Sequence, residues 1–181
     1  MQNTYETERL ILRTSDISLT DMVVDYHARN QAFLKEWEPV RSGEFYTKAY
    51  QEEELAGDSC SKSALRLWIS KKKNPETIIG CIGFTGIMRG AFQSCYLGYK
   101  LDETEINKGY MTEALEKGIE IIWKDFGLHR IEASIMPRNN RSIKVTEKLG
   151  FLNEGLSQRY LKINGVWEDH IHMVLLNDTI D

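Results

Sequence analysis

A glycine at the point where a strand turns into a helix is the first feature of this sequence that could do chemistry. Tyr96-Leu97-Gly98-Tyr99-Lys100-Leu101 reads as a strand, a short loop follows, and Asn107-Lys108-Gly109-Tyr110-Met111-Thr112-Glu113-Ala114 opens a helix. The first amides of such a helix have no intrahelical partner and lie at the positive end of its dipole, so they converge on an anion; a pyrophosphate is a natural guest. The segment is not a P-loop, because no Gly-Lys is followed by Ser or Thr, and no GxGxxG fingerprint occurs anywhere. By itself it reads as an ordinary strand-to-helix turn whose glycine serves the backbone. Asn139, Asn140 and Ser142 stand where a shorter helix begins, and capping is the commonest work of such residues there. Glu168, His170 and His172 nominally make a metal-ligand set, but solvent-facing strand residues share that pattern and no metal is expected. Cys60, Cys81 and Cys95 are odd in number and lack CxxC spacing, so they read as reduced thiols. Nothing near Cys81 or Cys95 supplies a base for a cysteine nucleophile.

The elements that must position these residues follow from periodicity. Arg9-Leu10-Ile11-Leu12-Arg13 reads as a first strand, and residues 20 to about 35, with Met22, Val23, Tyr26 and Phe33 at helical spacing, as a first helix stopped by Pro39. Residues 46–56 look helical. Leu65-Arg66-Leu67-Trp68-Ile69 alternates like a strand, and Lys71-Lys72-Lys73-Asn74-Pro75 reads as a solvated hairpin tip. Residues 78–88 and 94–101 read as strands. Across 109–126, Met111, Ala114, Leu115, Gly118, Ile119, Ile122 and Phe126 form one helical stripe, and Gly127 supplies the stop. A strand over 129–136 ends at Pro137, and a short helix over about 140–149 ends at Gly150. Strands 152–163 and 166–176 flank Asn164-Gly165, a strong hairpin signal. The sum is an α/β sandwich, a single domain over 1–181 with a mixed, mostly antiparallel sheet of about seven strands and four helices.

Composition removes other classes. A chain of 181 residues is long enough for one core, and 41% hydrophobic against 28% charged residues is globular rather than disordered. The 23 basic against 27 acidic residues give a net charge of -4, which disfavours direct nucleic-acid binding. The longest uncharged stretch, residues 77–88, falls short of the roughly 20 residues a membrane span needs. The N-terminus lacks the basic start and apolar run of a signal peptide, so the expected place is the cytoplasm, as a monomer or homodimer.

Taken in order, the glycine turn is followed by Arg130-Ile131-Glu132-Ala133, Pro137-Arg138-Asn139-Asn140-Arg141-Ser142 and Glu147-Lys148-Leu149-Gly150-Phe151-Leu152-Asn153-Glu154-Gly155. With these motifs the sequence resembles the GCN5-related N-acetyltransferases (GNAT), and within them the RimJ/RimL branch of ribosomal-protein alanine N-acetyltransferases and their relatives. Thr7-Glu8-Arg9-Leu10-Ile11-Leu12-Arg13, Leu34-Lys35-Glu36-Trp37-Glu38-Pro39 and Ile79-Gly80-Cys81-Ile82-Gly83 extend the resemblance over nearly the whole chain.

The resemblance implies acetyl-CoA as cosubstrate and no metal. The family's Q/R-x-x-G-x-G/A loop falls on residues 106–111, so the amides of Asn107, Lys108, Gly109, Tyr110, Met111 and Thr112 are expected to hold the pyrophosphate. The copy departs from the family at Ile106, at Asn107, where glycine is common, and at Met111, which either crowds the phosphates or turns into the core. Tyr99 and Leu101 are expected to offer their strand to pantetheine where it splays from the strand over 130–136. Asn139 and Ser142 match N-x-x-S, in which the asparagine anchors pantetheine and the serine hydroxyl is placed near the sulfur. Glu154, Glu168, Asp169 and His170 are candidates for the general base. Asp169 is the preferred carboxylate, because alternation puts it on one face with Trp167, Ile171 and Met173, although a partner for a backbone group or a tyrosine hydroxyl is the commoner role for a carboxylate so placed. Trp37 and Tyr46 are candidates to line the acceptor pocket. The expected reaction is direct acetyl transfer to a primary amine in a ternary complex, by default a protein N-terminus. The alternatives are a small-molecule amine acceptor or a silent acyl-CoA-binding module.

Overall fold

The sequence pattern of apolar residues divides onto two faces of one sheet, and the helices distribute accordingly. In the computed structural model, which describes residues 3–179, eight strands form a single sheet: β1 (Thr4–Glu6), β2 (Leu10–Thr14), β3 (Leu65–Lys71), β4 (Asn74–Met88), β5 (Ser94–Leu101), β6 (Arg130–Ile135), β7 (Leu152–Ile163) and β8 (Val166–Leu176). Their order is β1-β2-β3-β4-β5-β6-β8-β7, antiparallel except for the parallel pair β5–β6. The four α-helices are α1 (Thr20–Leu34), α2 (Lys48–Cys60), α3 (Tyr110–Ile121) and α4 (Asn140–Lys148).

On one face Trp68, Ile78 and Cys81 meet Val23, Tyr26 and Leu34 of α1 and Leu55 of α2. On the other, Leu12, Leu67, Ile82 and Phe84 meet the apolar stripe of α3, and Ile143 and Val145 of α4, with Leu149 just after it, pack against the same core. Gly118 lets α3 lie close, since a Cβ there would stand 3.1 Å from the Phe84 ring. Truncating Phe84, which is fully buried, would cost about 3–5 kcal/mol by lost transfer energy and cavity formation. Most ion pairs of the surface contribute far less.

The sheet has one strand more than expected: β1 is a three-residue edge strand, too short to show a period, held by pairing with β2. Residues 46–56 also need correction, because the chain first makes a 3₁₀ turn at Gly43–Tyr46 and α2 begins only after Thr47, whose hydroxyl caps the Tyr50 N–H. The lysine run is not a wholly solvated tip. Lys71 ends β3 paired with Glu105 at 2.5 Å, and Lys72 pairs with Glu6 at 2.8 Å. Beyond Ile121 the α3 stripe continues as a π-helical turn, Ile122–Phe126, closed by Gly127 at φ 57°.

The parallel pairing of β5 with β6 is brief. It covers Ser94–Arg130, Cys95–Ile131 and Tyr96–Glu132, after which β5 continues to Leu101 bonded only to β4. The sheet therefore opens into a V at its middle, as expected from the splay of the two strands.

Under α1, His27 is buried among the rings of Phe45, Tyr26 and Trp68, at 4.8, 5.4 and 5.8 Å. Burial, helped by the charges of Lys100, Arg66 and Arg41, pulls its imidazole down to about 3. In the unfolded chain it takes up a proton near pH 6.5. Stability from this group is thus fully present above that pH and is lost progressively as pH falls towards 3. Melting temperatures of the parent and of His27→Phe between pH 7 and 4 should show a shallower decline in the variant; equal slopes would contradict the assignment.

Candidate active site

The open arm of the V is lined by the residues that the glycine turn and the N-x-x-S segment supply. A cavity of about 380 Å³ lies between β5, the start of α3, the face of α4 and the end of α1. Tyr99, Leu101, Asn107, Gly109, Tyr110, Met111, Thr112, Asn139 and Ser142 all line it, together with Ile106 and Trp37. Lys108 is not among the lining residues: its ammonium pairs with Glu105 at 2.9 Å and its carbonyl accepts from Arg9 at 3.0 Å.

The turn at 107–109 is shaped for an anion. Asn107 (φ 60°) and Gly109 (φ 79°) are both left-handed, and asparagine is among the few side-chain-bearing residues that enter that region readily, which accounts for its standing where a glycine is common. Gly109 is the N-cap of α3 and makes no side-chain cap bond, while the first intrahelical bond runs from Glu113 N–H to the Gly109 carbonyl at 3.1 Å. The amides of Tyr110, Met111 and Thr112 thus precede the helical ladder and point out of its N-terminus. Met111 is only 6% exposed and packs into the core, so its side chain does not occupy the turn. An uncapped helix start with two left-handed residues ahead of it fits the diphosphate of a coenzyme.

Two carboxylates, Glu105 and Glu113, bond to groups that touch this turn, and a third, Asp102, holds the segment before it. Burial alone would raise Asp102, but the Thr104 N–H, Arg29, the Thr104 hydroxyl and the Asn30 amide bring it down to about 2. Burial likewise opposes ionisation of Glu105 and Glu113, and is outweighed by Lys71 and Lys108 for the first and by Thr7 and Arg9 for the second. Glu113 therefore does more than meet the helix dipole.

At the other end of the cavity, the hydroxyls of Tyr99 and Ser142 link β5 to the start of α4. Ser142 Oγ donates to Tyr99 Oη at 2.7 Å, and Tyr99 Oη donates to the Ser142 carbonyl at 2.9 Å. Burial pushes the Tyr99 phenol up to about 12, against the opposing bond from Ser142, so it keeps its proton at neutral pH. Asn139 is the N-cap of α4, its Oδ1 accepting the Ser142 N–H at 3.2 Å; Ser142 itself is not the cap. Burial raises the thiols of Cys81 and, to about 12, Cys95, which leaves neither as a thiolate near pH 7.

Asp169 lies elsewhere. The face that alternation assigns to it is not buried throughout, since Trp167 is 57% exposed, and Asp169 Oδ1 accepts the Arg159 N–H at 2.8 Å across the β7–β8 bulge. Glu154 is held by two nitrogens of Arg130 at 3.0 and 2.5 Å, and Glu168 by Arg138 at 2.6 Å. His170 is 3% exposed beneath Tyr160, and His172 shares a hydrogen bond with Ser157 at 2.8 Å. Tyr46 packs on Phe45, with ring centroids 5.2 Å apart, and is not among the residues lining the cavity.

Two contributions escaped the sequence reading. Arg141, Lys144 and Lys148 line the cavity from one face of α4, a cationic stripe at helical spacing that a search for apolar periodicity passes over. Asn164, read only as a hairpin residue, donates to the Lys35 carbonyl at 2.7 Å and accepts the Val40 N–H at 2.8 Å. It ties the β7–β8 hairpin to the loop that carries Trp37.

With this geometry in place, the comparisons agree. The chain belongs to the GNAT acetyltransferase family: the family's acetyltransferase (GNAT) domain matches residues 9–152. Within it the chain falls in the RimJ/RimL-like branch. It is 35% identical over 167 residues to the [ribosomal protein uS5]-alanine N-acetyltransferase of Escherichia coli (strain K12), covering 91% of this chain and 86% of the relative. Its fold superposes with a TM-score of 0.92 and 34% identity on the crystal structure of the ribosomal-protein-S5-alanine acetyltransferase from Vibrio fischeri, over 98% of each chain. Mycobacterium smegmatis RimJ in complex with CoA-disulfide superposes with a TM-score of 0.85 at 25% identity, over 94% of this chain and 83% of that one. The protein is an acetyl-CoA-dependent N-acetyltransferase.

Gly109→Asp places a carboxylate where the phosphates are expected. CoA should raise the melting temperature of the parent by mass action and leave that of the variant nearly unmoved. An equal shift in both would put the phosphates elsewhere.

Proposed function

We propose that the chain, acting as one domain over 1–181 in the cytoplasm, acetylates a protein N-terminal α-amine, the acceptor being a ribosomal protein of the kind its relatives are named for. The observation that carries the reading is the V between β5 and β6, with an anion-shaped turn at one end and the Tyr99–Ser142 hydroxyl pair at the other. The coenzyme supplies an activated acyl thioester. The residues of this chain bind and orient it: the amides of 110–112 meet its negative charge, the cationic stripe of α4 neutralises it, and the free edge of β5 aligns the pantetheine arm.

Ser142 is proposed to stabilise the departing sulfur. A thiolate leaves more readily when a hydroxyl can donate to it at a helix N-terminus, where the dipole also favours negative charge. Ser142 Oγ gives its single proton to Tyr99 Oη at rest and turns it to the sulfur as the thiolate departs, while the Tyr99 phenol stays neutral and keeps its own proton on the Ser142 carbonyl. An α-amine, with a pKa of about 7.7–8.0, has a sizeable neutral fraction at pH 7 and needs only a modest base, whereas a lysine or polyamine is almost wholly protonated. That difference favours the N-terminal acceptor for a cavity that does not have Asp169 among its lining residues.

Ser142→Ala should lower kcat and kcat/KM together by roughly 10–1000-fold, because the interaction is made chiefly in the transition state. A purely structural serine would cost about 1 kcal/mol for its hydrogen bond and leave turnover intact. A kcat within about threefold of the parent, well short of the loss expected for a missing donor, would sink the role. The acceptor is tested in the same assay with alanine-initiated peptides, spermidine and an aminoglycoside. The peptides should give the highest kcat/KM; a preference for either small amine, or CoA binding with no amine-dependent thiol release, would contradict the reading.

A further inference from the structure

The glycine turn lacks a side-chain cap, and the chain before β2 supplies the restraint that it lacks. Arg9 Nε meets Glu113 Oε2 at 2.6 Å, while the Arg9 main-chain N–H and the Thr7 hydroxyl donate to Glu113 Oε1 at 2.8 and 2.5 Å. Arg9 Nη1 donates to the Lys108 carbonyl at 3.0 Å, and the guanidinium carbon lies 4.5 Å from the centroid of the Tyr110 ring. One side chain therefore touches the residue before Gly109, the residue after it and the carboxylate one helical turn on. A Cβ on Gly109 would stand 3.4 Å from Arg9 Nη2, so the guanidinium lies directly against the glycine.

We propose that Arg9 is a positioning residue for coenzyme A, fixing the 108–110 turn so that its amides meet the pyrophosphate, with Glu113 serving to hold Arg9. The proposal rests on the reading that the coenzyme's phosphates bind at this turn. A carboxylate in the first turn of α3 suits the helix dipole but repels a phosphate arriving at the same helix end. Arg9 at 2.6 Å offsets that charge while spending its remaining donors on the turn. The fork of a guanidinium makes these contacts at once, which a lysine cannot do. Arg9 is 43% exposed while Glu113 is 16% exposed; solvent screens the guanidinium end of the pair, so the value of Arg9 lies in the geometry of the turn more than in folding stability.

The test compares acetyl-CoA with S-acetylpantetheine, which lacks the pyrophosphate and the nucleotide. Arg9→Met should lower the ratio of kcat/KM for acetyl-CoA to that for S-acetylpantetheine by about tenfold, mainly through KM for acetyl-CoA. General damage to the fold would lower both values and leave the ratio unmoved. Arg9→Lys should remain impaired, since it restores the charge without the fork; full recovery of the ratio would overturn the geometric role. Gly109→Asp separates the two readings. If it collapses the ratio and Arg9→Met does not, the inference about Arg9 falls alone. If neither variant changes the ratio, the phosphates bind elsewhere and both readings fall.

Discussion

Main-chain amides bind an anion only when the chain holds them still, and here the holding is done by carboxylates. Asp102, Glu105 and Glu113 bracket the 107–109 turn, and each needs cations of its own: Arg29 from α1, Lys71 from β3 with Lys108, and Arg9 from the approach to β2. Glu105 and Glu113 thereby tie the turn to β3 and to the approach to β2, and Asp102 ties the segment before it to α1. Asn107 and Gly109 take left-handed conformations that ordinary residues avoid, and their own residue types admit them.

The same constraint explains the shape of the cavity. With the turn fixed at the end of β5, α3 sets off against Phe84 and returns the chain to β6, which can pair with β5 only at its far end. The parted strands leave polar backbone of β5 facing the cavity, an edge suited to an extended ligand arm. Tyr99 then joins β5 to the start of α4, accepting from the Ser142 hydroxyl and donating to the Ser142 carbonyl. At the Trp37 end of the cavity, Asn164 and the Arg138–Glu168 pair bring the β7–β8 hairpin and the entry to α4 up to the loop bearing Trp37.

Most of this architecture was legible because its elements carry long, strong periods. The α3 stripe, the Asn164-Gly165 hairpin and the bounds of β5, β7 and β8 follow from pattern and turn chemistry, and the family resemblance carried the order of the motifs. The failures have physical causes. Three residues of β1 are too few to show alternation. Thr47 resets the start of α2 by capping. For Asp169 alternation on β8 leaves base and backbone partner both open, and the bulge of β7 between Ser157 and Leu161, with Arg159 at φ 50°, decides for the partner: the carboxylate accepts the Arg159 N–H. The pairing of Arg9 with Glu113 joins residues 104 apart in sequence, a distance over which no local pattern speaks.

The central claim is that the coenzyme is held by the main chain of the turn and of β5. The most direct measurement is a titration of ¹⁵N-labelled protein with CoA, followed by amide chemical shifts. The account predicts the largest changes at Gly109, Tyr110, Met111 and Thr112, accompanied by the amides of β5 beyond Tyr96, with β1 and the β7–β8 tip nearly silent. Changes centred elsewhere, with the Tyr110 to Thr112 amides unmoved at saturation, would contradict it.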